Sequence, residues 1–355
     1  MAISFENYAN YFLIVLVYVF YPQKSLNLML RHETQQFNYE KILMPLTYRH
    51  RLITLAGMML SIFSNAAHAD SSSKPELHRI PFTSNQDQSE REYFVYLPRG
   101  YHSEADKQWP VMLFLHGNGE RGNGLNELDY VLTHGPLYEA WIQKKDLPFV
   151  IISPQLQMFD MDKRVDYISQ RTPSDIPKRL DEGTENRGDA LETNGPMSGS
   201  RAIKDMSKID ITLPIGWDLI EQDLLDILRH SHKNYKTNPK KTYLTGISYG
   251  GFGAWWMASK HPKKFAAIVP VAGWGHPDLM KPIAEHRIPT WAFSGGRDEA
   301  IKVKYFYAGI NELERLGHTI RFTNHEDMGH DAWRRVYNSV DLYDWMLSQE
   351  LKSVN

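Results

Sequence analysis

Lys241-Thr242-Tyr243-Leu244-Thr245-Gly246-Ile247-Ser248-Tyr249-Gly250-Gly251 runs from an apolar, β-rich segment into a serine flanked by glycines, and a long helical pattern follows it. That is the strand–turn–helix setting in which G-x-S-x-G presents a nucleophilic serine on a sharp turn. Such a turn strains the serine backbone, so the residues two before and two after it must be small, here Gly246 and Gly250. Ser248 is therefore the first candidate catalytic residue. The pentapeptide also arises by chance in loops, so the surrounding sequence has to support it.

Two further residues follow in the order that this turn requires, serine then acid then histidine. Ile288 to Asp298 reads as a buried strand that runs into Gly295-Gly296-Arg297-Asp298, with the acid at the tip of the turn. A helical pattern and a short strand pattern later comes Asp327-Met328-Gly329-His330-Asp331-Ala332-Trp333. Asp298 lies 50 residues after Ser248, and His330 lies 32 residues after Asp298. Either interval has room for the crossovers between neighbouring strands of a parallel sheet, so the three side chains can meet at one sheet edge.

Upstream, Val111 to Leu115 is an apolar strand that breaks into His116-Gly117-Asn118-Gly119-Glu120-Arg121-Gly122. Taken together, this loop, the Ser248 turn, Gly295-Gly296-Arg297-Asp298 and Gly329-His330-Asp331-Ala332-Trp333 resemble the α/β-hydrolase superfamily. The likeness is to the serine esterase group that holds dienelactone-hydrolase-like and polyhydroxybutyrate-depolymerase-like proteins and predicted peptidases. It covers roughly Phe82 to Leu351. It implies an α/β-hydrolase fold, a mostly parallel central sheet with helices on both faces, and an ester-cleaving serine hydrolase. In such a fold the oxyanion hole uses the backbone N–H after the nucleophile and one from the early loop. Here these are Tyr249 and Asn118, with Gly119 as the alternative, although a plain strand-to-turn junction would also fit the loop. The chain departs from the pattern twice. True dienelactone hydrolases use a cysteine nucleophile and this chain has no cysteine; and the segment at about 157–216 is longer than the core of the fold requires.

The composition is that of a globular protein, 42% hydrophobic and 23% charged with a formal net charge of −2, and no basic excess points to nucleic acid. The amino-terminal part differs. Tyr48-Arg49-His50-Arg51 precedes the apolar run Leu52 to Phe63, and Ala67-His68-Ala69 precedes Asp70, as in a secretory signal cleaved after Ala69. Counted from Met44 that signal has an ordinary length, so residues 1–43 are expected to lie upstream of the true start, with a short amino-terminal anchor as the competing reading. The exported chain is then residues 70–355, periplasmic or secreted, without disulfides and with no stable membrane insertion after signal cleavage.

Along that chain, Leu77 to Thr83 and Glu92 to Leu97 alternate as an antiparallel edge. Core strands are predicted at Val111 to His116, Phe149 to Ser153, Thr242 to Ile247, Ala267 to Val271, Thr290 to Ser294 and Thr319 to Thr323. Helices are predicted at Leu137 to Lys144, Trp217 to His230, Gly251 to Lys260, Lys302 to Leu316 and Ala332 to Gln349. The polar segment at about 157–216 interrupts this alternation and reads either as a cap or lid at the pocket or as a solvated insertion.

Each site residue has a rival. Glu299 and Asp278 compete with Asp298, and His325 competes with His330. His116 is expected to brace its loop, His261 and His286 to be exposed, and Asp331 to point away from the site. Glu120 and Arg121, beside the early loop, either bind substrate or, as the favoured reading, pair with one another to brace it. Trp255, Trp256, Trp291 and Trp333 read as core, while Trp274 falls near the active edge and either lines a substrate pocket or packs. The chemistry expected is nucleophilic attack on a small-molecule or polymer-linked ester, needing neither metal nor organic cofactor. A serine peptidase is the second reading and a non-catalytic binding protein on the same fold is the third.

Overall fold

In the computed structural model, residues 74–187 and 195–351 are described. The predicted leader, its cleavage site and the expected start at Met44 lie outside the described residues. β1 (Glu76–Thr83) and β2 (Glu90–Leu97) form an antiparallel pair in register from Glu76 opposite Leu97 to Thr83 opposite Glu90. β3 (Trp109–Leu115), β4 (Val150–Ser153), β5 (Thr237–Ile247), β6 (Ala267–Val271), β7 (Trp291–Gly295) and β8 (Arg321–His325) complete one sheet in the order β1-β2-β4-β3-β5-β6-β7-β8. The β2–β4 pair is antiparallel, and every pair from β4 to β8 is parallel.

The central strands are apolar throughout because both faces are covered. On β3, Val111, Leu113 and Leu115 join one apolar cluster while Met112 and Phe114 join the other, as the two-residue period of a strand requires. The first cluster is closed by α1 (Glu221–Asn234), α2 (Tyr249–Lys260), α3 (Met280–Glu285) and α4 (Val303–Arg315). The second is closed by Leu128, Leu137 and Ala140, and by α5 (Trp333–Asn338) and α6 (Val340–Leu347). α2 is buried along nearly its whole length, and Gly253 lets it approach Trp217, whose side chain a Cβ there would meet at 2.8 Å.

Three helix expectations need correction. The helix expected from Ala332 to Gln349 is two helices broken at Ser339, which is extended (φ −80°, ψ 132°). The break frees the Tyr337 carbonyl, and the buried Tyr343 hydroxyl donates to it at 2.8 Å. The helix expected from Leu137 to Lys144 is a short turn at Gly135–Leu137 followed by a wider π turn at Tyr138–Ile142, in which the Gln143 N–H reaches the Tyr138 carbonyl. α3 was not expected because it carries Pro282, which sits early enough in this short helix that its missing N–H costs little. No helix of the described residues is long and apolar enough to cross a membrane.

Candidate active site

β5 ends in the turn that carries Ser248 at φ 49° and ψ −115°, a conformation few non-glycine residues adopt. The flanking glycines are dictated by backbone approach. A Cβ on Gly246 would lie 2.2 Å from the Gly250 carbonyl oxygen, and one on Gly250 would lie 1.8 Å from the carbonyl oxygen of Leu115 on β3. The Ser248 N–H donates to the Val271 carbonyl at 2.9 Å, which ties the turn to the end of β6.

The acid and the histidine arrive from the next strands of the same edge. Asp298 follows β7, and its Oδ1 accepts from the Ala300 and Ile301 N–H groups at 2.9 and 2.8 Å. Its Oδ2 lies 2.7 Å from His330 Nδ1, and His330 Nε2 lies 3.0 Å from Ser248 Oγ. The two loops touch through their backbones, since a Cβ on Gly295 would sit 1.9 Å from the Gly329 carbonyl oxygen. The Asp298 side chain is fully buried and that of His330 is 31% exposed, so the carboxylate is shielded and the imidazole is open to a substrate. The rivals lie elsewhere. Glu299 is exposed, Asp278 is exposed beside His276, and His325 stacks on Phe293 at the end of β8. His261 pairs with Glu221 at 2.9 Å, and Asp331 lies 3.7 Å from Arg334.

Both expected oxyanion donors sit at the first position of a helical segment. Tyr249 starts α2, and Asn118 starts a 3₁₀ turn, Asn118–Glu120. N–H groups there have no partner within their own helix and carry the positive end of its dipole. Gly117 brings the loop against Ser248, for a Cβ on it would be 3.6 Å from the Ser248 Cβ. Behind the loop, His116 is wholly buried, with Nδ1–H donating to the Gly117 carbonyl at 2.6 Å and Nε2 accepting from the Leu156 N–H at 2.9 Å. Burial pushes its pKa down to about 4, so it stays neutral and braces the loop.

The strand order and the covered parallel sheet can be set beside solved structures. A thermostable esterase aligns with a TM-score of 0.51 at 20% identity, over 77% of this chain and 63% of that one. The substrate-bound fluorophosphonate-binding serine hydrolase F of Staphylococcus aureus aligns with a TM-score of 0.50 at 13% identity, over 77% of this chain and 99% of that one. The fold is that of the α/β-hydrolases. A profile of the prolyl oligopeptidase family matches residues 220–308 of this chain, a stretch that holds Ser248 and Asp298 and stops before His330. No curated protein matches it in sequence.

Several side chains lie elsewhere than the sequence leads one to expect. Glu120 and Arg121 do not pair. Glu120 sits 3.0 Å from His134 Nδ1, and although burial raises its pKa, His134 beside it leaves it lowered. Arg121 points the other way, to Asn118, Gln157 and Ile215. On a tight 3₁₀ turn adjacent side chains diverge. Trp333, expected in the core, is half-buried with its ring edge-on to His330, the centroids 5.1 Å apart. Trp274 packs; it is 8% exposed, edge-on to Phe252 and stacked on Tyr305.

The insertion reaches both sides of the serine edge. On the side of the early loop, the Asn118 side-chain amide donates to the Tyr167 hydroxyl at 2.8 Å, and Arg171 donates to the Gly119 carbonyl at 2.8 Å. On the side of the acid loop, the Ser198 N–H donates to the Gly296 carbonyl at 2.6 Å, Arg297 donates to the Gly195 carbonyl at 2.6 Å, and Met206 joins Phe252, Trp274 and Phe306. Nothing in the sequence pattern signalled these contacts. A cavity of about 390 Å³ opens where Asp175 and Arg187 of the insertion face His134, Tyr138, Asp331 and Trp333. Among the described residues no cluster of three or more histidines and carboxylates is placed to hold a metal ion.

Proposed function

We propose that this protein is a serine hydrolase that cleaves carboxylic esters through Ser248, His330 and Asp298. One observation carries the reading: the continuous hydrogen-bonded line from Ser248 Oγ through both ring nitrogens of His330 to Asp298, mounted on a strained turn. Serine is a weak nucleophile at its free pKa, so His330 Nε2 takes the Oγ proton as Oγ attacks the ester carbonyl. Asp298 keeps the Nδ1 proton facing itself and stabilises the imidazolium that forms. The tetrahedral oxyanion is held by the N–H groups of Tyr249 and Asn118, or of Gly119 in place of Asn118; a comparable donor is worth about 10²–10³ in rate. His330 then protonates the leaving alcohol, and water, activated by the same histidine, hydrolyses the acyl-enzyme. The predicted leader at residues 44–69 supports action outside the cytoplasm, on small-molecule or polymer-linked esters.

A second reading, a serine peptidase, is favoured by the prolyl oligopeptidase profile over residues 220–308. The chemistry of attack is the same and only the leaving group differs. Residues 70–355, with Ser248→Ala as control, should hydrolyse p-nitrophenyl acetate through octanoate. Serine-dependent release of p-nitroaniline from peptide substrates, with no ester turnover beyond background, would replace the esterase reading by the peptidase one. Failure of both, together with no fluorophosphonate labelling of Ser248, would leave neither.

A further inference from the structure

We propose that Arg121 is the positioning residue of the oxyanion hole, a buried cation that ties both hole donors to the two ends of the insertion. The inference rests on the hydrolase reading. Arg121 has no solvent exposure, and each arm of its guanidinium is used. Nε donates to Asn118 Oδ1 at 2.6 Å, Nη1 donates to the Gln157 carbonyl at 2.9 Å, and Nη2 donates to the Ile215 carbonyl at 2.5 Å. Its guanidinium carbon lies over the Tyr249 ring, 5.0 Å from the centroid. Asn118 and Tyr249 supply the two expected hole N–H groups. Gln157 and Ile215 stand where the insertion leaves and rejoins the body of the fold. One side chain therefore touches four residues whose relative placement shapes the hole, Gln157 and Ile215 through their carbonyls and Asn118 and Tyr249 through their side chains.

The charge is as informative as the geometry. Among the described residues no carboxylate lies within 4.0 Å of the Arg121 guanidinium, and its sequence neighbour Glu120 is engaged by His134. Burial lowers the guanidinium to about 10, which leaves it cationic at neutral pH. A cation out of water without a counter-ion is costly, and a residue kept only to brace a loop would be cheaper as an apolar side chain or half of an ion pair. A fixed positive charge behind two helix N-termini has a use when negative charge develops in front of them. The planar fork accounts for arginine over lysine, since three separated acceptors have to be met in one plane.

The test uses residues 70–355 as wild type, Arg121→Lys and Arg121→Met. Turnover of p-nitrophenyl acetate is normalised to sites counted by fluorophosphonate titration, and affinity is measured for a trifluoromethyl ketone, which adds Ser248 Oγ to form an oxyanion in the hole. Arg121→Met should lose about tenfold to a hundredfold in kcat per titrated site, less than the loss of a hole donor outright, with KM moved less than about threefold. Ketone affinity should fall by the same factor. Arg121→Lys, which keeps the charge and loses the fork, should recover part of both. A merely structural role would lower thermal stability and the count of active sites while leaving kcat per site and ketone affinity unchanged, and that result overturns the proposal. If Arg121→Met fails to fold, wild-type ketone affinity in Arg121→Lys overturns it as well. Wild-type protein with neither turnover nor labelling would refute the hydrolase reading and this inference together, whereas active wild type with unaltered variants refutes the inference alone.

Discussion

Replacing Asp298 by asparagine changes one atom and should cost about four orders of magnitude in kcat/KM. The size follows from which oxygen does what. Oδ1 accepts from the Ala300 and Ile301 N–H groups, and Oδ2 faces His330 Nδ1. In the variant the amide oxygen must take the Oδ1 place, because the opposite orientation would set the amide nitrogen against two N–H donors. The –NH₂ group then faces Nδ1 and forces it to accept. The ring proton moves to Nε2, the nitrogen that has to receive the Ser248 proton. The imidazole is held in place in the wrong tautomer, a defect worth about 10⁴ in rate in triads of this kind, or about 5.5 kcal/mol. The measurement is p-nitrophenyl acetate hydrolysis beside circular dichroism and thermal melting, with Glu299→Gln, an exposed neighbour, expected to match wild type. A folded Asp298→Asn enzyme within about tenfold of wild type would refute the assignment of the acid.

Gly250→Ala should fail to accumulate as folded protein, or should lose about 3 kcal/mol or more of stability, because the new methyl would stand 1.8 Å from the Leu115 carbonyl oxygen, a backbone atom that cannot swing away; a denaturant midpoint near wild type would contradict the close approach. His116 predicts a pH dependence of stability. Its folded pKa is depressed from 6.5 to about 4, so below pH 6.5 the unfolded chain binds a proton that the folded chain refuses. Its contribution is complete above pH 6.5, is lost as pH falls toward 4, and amounts to about 3 kcal/mol. His116→Gln should flatten that part of the curve of unfolding free energy against pH, and a slope identical to wild type would show that His116 is not held neutral.

The parts of the molecule that were legible in the sequence are those whose requirements are local. β3 and β6 are covered on both faces and so read as unbroken apolar runs, and the Ser248 turn declares itself through two glycines that backbone contact imposes. Gly295 and Gly329 betray the acid and histidine loops in the same way, because two backbones meet there. The parts that misread are those decided at a distance. The π turn at Tyr138–Ile142 and the break at Ser339 lie in stretches with ordinary helical periodicity, and buried partners such as the Tyr343 hydroxyl settle their form. Glu120 and Arg121 look complementary in sequence, yet Glu120 meets His134, fourteen residues on, and besides nearby Asn118 Arg121 reaches Gln157 and Ile215, thirty-six and ninety-four residues on. Tyr167, Ser198 and Met206 sit in a segment with no period from which to infer a face.

That division has a consequence for how such a site can change. The expected hole donors are main-chain N–H groups, so no substitution at Asn118 or Tyr249 short of proline removes them, and it is the side chains holding the loop that tune them. His116 does so from below, through Gly117 and Leu156, and Arg121 from the side, through the Asn118 amide and the Tyr249 ring. Both also reach the segment at about 157–216, Arg121 at its two ends and His116 one residue before it. The insertion's Tyr167 and Arg171 close on the same loop from the far side. A change in the insertion that moved Tyr167 or Arg171 would therefore also be felt at the hole. Variants made there should move kcat as well as KM, because these two side chains hold the loop that carries Asn118 and Gly119.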